Sequence, residues 1–146
     1  MTFCIRSIEN ASGVHKVLCE LTLGEHRELF PLLTTLWTPD RYRSQWIEAL
    51  HALVKGEVEA CILVTDIQPP DDSFGMAYWA LFREGDHAYF QERFTRELSQ
   101  HLLGSAKCIE AHIPPRVQGT PEEHSVVSEW IVPIQDLRKF VASSTA

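Results

Sequence analysis

Residues 38 to 56 constrain the fold most. Thr38 is placed to cap a helix, Pro39 takes the first helical position, where its missing N–H costs nothing, and Gly56 stands where the helix should stop. Between them Tyr42, Trp46, Leu50 and Leu53 recur at spacings of four, four and three, one apolar stripe on the helix surface. A helix of this length is marginal alone in water and must bury its stripe against another layer.

The segments that follow supply that layer. Val58 to Ile67 and Phe74 to Phe82 are apolar and β-prone, and the loop Gln68 to Ser73 between them carries Pro69, Pro70, Asp71 and Asp72. A tight turn at Glu84, Gly85 and Asp86 leads into His87 to Phe94, which completes a three-stranded antiparallel meander. Val14 to Leu23 and Ser125 to Val132 read as further strands. Pro133 opens a terminal helix whose Ile134, Leu137, Phe140 and Val141 share one side. Thr95 to His112 fits either a helix ending near Gly104 or a continuation through AKCIEAHI as helix or strand, and Pro114 to Glu123 reads as loop. The expected architecture is a single α+β domain over residues 1–146: an antiparallel sheet of four to six strands, centred on the meander, with helices against one face or end. At 146 residues such a domain buries roughly 68–70% of its unfolded surface and needs no metal or disulfide staple.

Charge narrows the partners. The formal net charge is −7, so a nucleic-acid backbone meets repulsion where it needs Lys and Arg. Nearly all of that charge lies in residues 57 to 86, where Glu57, Glu59, Asp66, Asp71, Asp72, Glu84 and Asp86 face only Arg83. This segment reads either as an acidic face that steers a basic partner or as a solvated hairpin that aids solubility. No apolar run reaches the ~18 residues of a membrane span and the N-terminus lacks a signal-like stretch, so a cytoplasmic protein is expected. Cys4, Cys19, Cys61 and Cys108 form no CxxC pair and read as free thiols.

Catalytic signatures do not emerge. GxSxG, HExxH and the P-loop are absent, and His101, Cys108 and His112 match no usual zinc spacing. Asp71 and Asp72 are neighbours in a turn, without a third group to orient them for acid–base work. The expectation is therefore no catalytic residue, cofactor or metal. Trp37, Tyr42, Trp46, Trp79 and Trp130 could stack on bases, but in a chain of net charge −7 they are assigned to the structural core.

The ordered aromatics permit a family comparison. Trp37, Tyr42 and Trp46, followed by CILVTDIQPPD, then MAYWALFREGDHAYFQ, and finally Ser128, Glu129 and Trp130 before the terminal helix, resemble the immunity proteins of bacterial contact-dependent growth inhibition systems. Over residues 36 to 142 the chain is most similar to the branch with a Whirly-like fold whose toxins cleave ribosomal RNA. The resemblance implies a non-catalytic inhibitor whose partner is the cognate C-terminal toxin domain of the surface effector, a basic nuclease bound one to one, with neither nucleic acid nor membrane as direct partner. From local charge and loop placement, and not by transfer from the family, Asp66, Asp71, Asp72, Glu84 and Asp86 are the candidate toxin-binding residues. Another acidic protein-binding module, a single-strand binder and a small enzyme with an unfamiliar site are the competing readings.

Overall fold

The computed structural model describes residues 3–8, 16–34, 37–67, 76–95, 105–116 and 129–145. Its strands are β1 (Phe3–Ser7), β2 (Lys16–Leu23), β3 (His26–Leu33), β4 (Ala60–Ile67), β5 (Met76–Glu84), β6 (His87–Thr95) and β7 (Glu129–Pro133), and its helices are α1 (Pro39–Lys55), α2 (Ala106–Glu110) and α3 (Ile134–Thr145). The α+β class is as expected, and the meander is present as β4, β5 and β6. The strands are divided between two antiparallel sheets, β1-β2-β3 and β4-β5-β6-β7, instead of lying in one. The second sheet was hidden because FCIRS and HRELFPLL interleave charge and proline with their apolar residues, and pairing with β2 is what makes them strands. AKCIE forms the short helix α2, capped by the Ser105 hydroxyl, which accepts from Cys108 N at 3.2 Å. The Gln68–Ser73 loop and the helix placed over Leu98 to Leu103 lie outside the described residues.

The first helix keeps both of its sequence signals. Thr38 Oγ1 accepts from Arg41 N at 3.2 Å, and Gly56 takes φ 78°, a left-handed cap that a side chain would strain. The last carbonyls of α1 also receive a cation: Arg83 Nη1 donates to Leu53 O at 2.8 Å and to Val54 O at 3.0 Å. A guanidinium there satisfies orphan acceptors and opposes the negative end of the helix dipole. In the β5–β6 turn Gly85, at φ 63°, supplies the positive φ that a two-residue hairpin loop requires.

The helix meets the sheet through an unusual seam. Among the described residues strand β4 is the edge of its sheet, so the backbone groups on its outer side have no strand partner there. Gln45, buried in the apolar stripe, fills two of them: its Nε2 donates to Ile62 O at 2.8 Å and its Oε1 accepts from Val64 N at 2.9 Å. Trp46 Nε1 donates to Val64 O at 2.7 Å. From the other side Glu110 Oε2 accepts from Glu59 N at 2.6 Å and Ala60 N at 3.1 Å. Side chains of α1 and α2 therefore do what a neighbouring strand would do.

One continuous core joins both sheets and the two longer helices. Phe3 links them directly, with ring centroids 5.5 Å from Phe90 on β6 and 5.1 Å from Phe140 on α3. Gln45→Leu keeps the volume but strands Val64 N and Ile62 O, and should lower stability by about 2–4 kcal/mol. Trp46→Phe, which removes one donor and leaves one orphan carbonyl, should cost about 1–3 kcal/mol. Urea unfolding followed by circular dichroism measures both. Equal stability of the Gln45 variant and wild type would mean that water reaches this edge.

Candidate functional site

Alternation along each strand gives the four-stranded sheet two unlike faces. Cys61, Leu63, Trp79, Leu81, Ala88, Phe90 and Val132 turn inward and are buried. The opposite face is buried at Ile62, Val64, Tyr78, Ala80 and Gln91, and towards the β5–β6 turn carries Phe82, Tyr89 and Ile131 in one cross-strand row, with Glu84, His87 and Pro133 in the next. A polar network spans this outer face. Arg116 grips Glu129 with two bonds of 2.8 Å and lies 3.6 Å above the Tyr89 ring. Gln91, fully buried, donates to Glu129 Oε2 at 2.6 Å, and Arg93 Nη2 donates to Gln91 Oε1 at 2.6 Å. Arg93 also donates to Pro114 O at 2.8 Å and Pro115 O at 2.7 Å, which ties the segment after α2 to the sheet. The Arg116 hydrogen bond holds the Glu129 carboxyl below the usual carboxylate range, against partial desolvation, with Gln91 assisting.

Of the five acidic candidates, the three that are described do not converge. Glu84 and Asp86 flank the β5–β6 turn, whereas Asp66 lies at the far end of β4, where the register pairs it with Ala77. At ~3.3 Å per residue the two ends are roughly 25 Å apart. Asp71 and Asp72 lie outside the described residues. Glu84 and Asp86 have side chains 67% and 101% exposed, so their charges face water. Glu57 and Glu59 are exposed at the same end of the sheet, where β4 begins. Arg83, the lone base of the acidic segment, is engaged by the α1 carbonyls.

The aromatic candidates occupy two settings. Tyr42, Trp46 and Trp79 are buried. Trp37 is half-buried, 5.3 Å from the Tyr42 ring and with the Arg41 guanidinium 4.7 Å from its own. Trp130 is half-buried where the sheets meet, stacked on His26 at 4.5 Å and edge-on to Trp79 at 5.5 Å. Beside His26 stands Glu28, whose Oε2 is 3.9 Å from His26 Nε2; neither atom has a hydrogen-bond partner. Desolvation, then repulsion from Glu28, raises the pKa of Glu92 on β6.

Sequence reasoning missed Gln45, Glu110, Arg116, Tyr89 and Ile131. Gln45 did leave a signal: it is a polar residue within an apolar helix face, a place where buried amides are held by partners. Among the described residues no group of three His, Cys, Asp or Glu side chains could hold a metal, and no helix is long and apolar enough to cross a membrane. Cys108 and His112 are exposed, and His101 lies outside the described residues. Burial pushes the Cys19 thiol up to about 11 and Cys61 higher still, which leaves both unreactive.

The family model described as the CdiI N-terminal domain matches residues 32–140, from the end of β3 into α3. The chain belongs to this family. A chain of the CdiA-CT/CdiI toxin and immunity complex from Enterobacter cloacae is similar over 99% of this chain and 100% of that one, with a TM-score of 0.79 at 18% identity. This likeness extends the shared fold beyond the family match, through β1 and β2. Comparison with curated proteins finds no match.

The raised Glu92 carboxyl, with Glu28 nearby, sets a pH dependence. A carboxyl whose folded pKa is raised contributes a penalty that appears as pH rises through that pKa and vanishes at lower pH. Glu92→Gln should therefore be more stable than wild type at pH 7, with the difference closing as acid protonates Glu92 in the parent. Thermal unfolding of both proteins between pH 4 and about 8 checks the sign.

Proposed function

We propose that this chain is the immunity protein of a contact-dependent growth inhibition system. It binds the C-terminal toxin domain of the cell's own surface effector in the cytoplasm, one to one, and neutralises it by covering its active site or substrate-binding surface. The observation that carries this reading is membership of the CdiI family over three quarters of the chain. The whole-chain likeness to a component of a toxin and immunity complex supports it. Inhibition of this kind requires a stable shape and a matched surface, and no reacting group of its own.

The charge distribution points to a basic partner, as a nuclease is. A nuclease must present Lys and Arg to phosphates, and an inhibitor that opposes them with carboxylates gains association rate and rejects toxins whose charges do not match. The acids of residues 57 to 86, with Asp66, Asp71, Asp72, Glu84 and Asp86 among them, supply that field in a chain of net charge −7.

The test is protection. Cells expressing the toxin domain encoded beside this chain's gene should survive when the chain is co-expressed and die when it is absent. Purified, the two should associate at a rate that falls about tenfold or more between low and high salt. Death of cells that hold abundant, folded CdiI-family protein and its neighbouring toxin would overturn the proposal.

A further inference from the structure

We propose that the toxin docks on the outer face of the four-stranded sheet at the β5–β6 turn, with Ile131 as its apolar anchor and Glu84 and Asp86 as its charged rim. The inference rests on the immunity reading and names the surface that reading uses.

Ile131 is 53% exposed and shares with Leu29 the distinction of being a large exposed hydrophobic among the described residues. Their surroundings differ. Leu29 lies on the outer face of the other sheet opposite Glu20, and Glu20 is already paired with Arg6 at 3.1 Å. Ile131 lies opposite Tyr89, beside an arginine and two carboxylates open to water. An apolar centre with tyrosine, arginine and a polar rim is the composition from which binding hot spots are drawn.

This surface is held in place before any partner arrives. Arg116 is fixed by its two bonds to Glu129 and sits on the Tyr89 ring; Tyr89 Oη is 3.2 Å from His87 Nε2, and His87 Nδ1 is 3.2 Å from Asp86 Oδ1. Side chains ordered in this way lose little rotamer freedom on binding. The same chain of contacts decides the charge. Arg116 reaches Glu84 only at 4.0 Å and is already matched by Glu129, and Asp86 meets His87 alone, so both carboxylates keep their charge open to water.

The partner this surface fits has an apolar recess for Ile131 flanked by Lys or Arg side chains that reach the two carboxylates. A second copy of the chain does not fit. A two-fold contact through this face would join two chains of net charge −7 at a surface that carries Glu84 and Asp86 open to water.

Binding of the full-length chain to the toxin domain encoded beside its gene, measured by biolayer interferometry with Tm recorded for each variant, tests the assignment. Ile131→Asp should weaken Kd by roughly 30-fold or more with Tm unchanged. Glu84→Lys combined with Asp86→Lys should slow association about tenfold and flatten its salt dependence. Leu29→Asp should bind within about twofold of wild type. If Ile131→Asp lowers Tm, the charge-reversed pair, at solvated positions, decides alone. Wild-type binding by that pair, loss of binding in Leu29→Asp, or an Ile131-dependent dimer of the free protein would overturn the docking surface. Failure of the wild-type chain to bind the toxin would overturn the immunity reading itself.

Discussion

The open edge of β4 is the constraint on which the rest of the molecule depends. An edge strand buried beneath helices has backbone donors and acceptors that neither water nor another strand can reach, and each one left unmade costs about 1–3 kcal/mol. Gln45, Trp46 and Glu110 close that edge with their side chains. The register of α1 along β4 is thereby fixed by hydrogen bonds, where apolar contact alone would leave it free to slide.

From that register the other contacts follow. With α1 seated, its C-terminal carbonyls lie within reach of Arg83 on β5, and Arg138 of α3 approaches the same end, 3.5 Å from Val54 O. Residue Ile134 starts α3 with its N–H bonded to Asp86 O at 2.8 Å, so the acidic hairpin and the last helix are anchored to each other. Helix α3 then brings Phe140 against Phe3, and the first strand is held to a sheet it does not belong to. Inward faces are consumed by this packing. The outer face of the four-stranded sheet is buried as well at Ile62, Val64, Tyr78, Ala80 and Gln91, and opens near the β5–β6 turn, where Arg116, Glu129 and Gln91 cross-brace the strands without covering Ile131.

Charge has a different relation to the fold. Arg83 looks in the sequence like a weak counterweight to seven acids, yet its guanidinium is turned into the molecule to cap a helix. Glu129 belongs to no acidic cluster along the chain, yet it takes up Arg116 and leaves Glu84 with that arginine only at 4.0 Å. Linear counting gives the total charge correctly and the local field only after the pairings are known.

The sequence by itself determined the elements whose signals are local: the helix from Pro39 to Lys55 with its Thr38 and Gly56 caps, the meander with its glycine turn, and the apolar side of the terminal helix. It also carried the family resemblance, in the order of Trp37, Tyr42, Trp46 and the strands that follow. Tertiary structure alone decided the division into two sheets, since β1 and β3 have weak intrinsic β character and exist through pairing with β2. It alone separated Asp66 from Glu84 and Asp86 by the length of a strand, and set Tyr89, Arg116 and Ile131 side by side from three distant segments. Caps and turns depend on backbone angles within a few residues, whereas edges, faces and ion pairs depend on which distant segment comes to lie beside them.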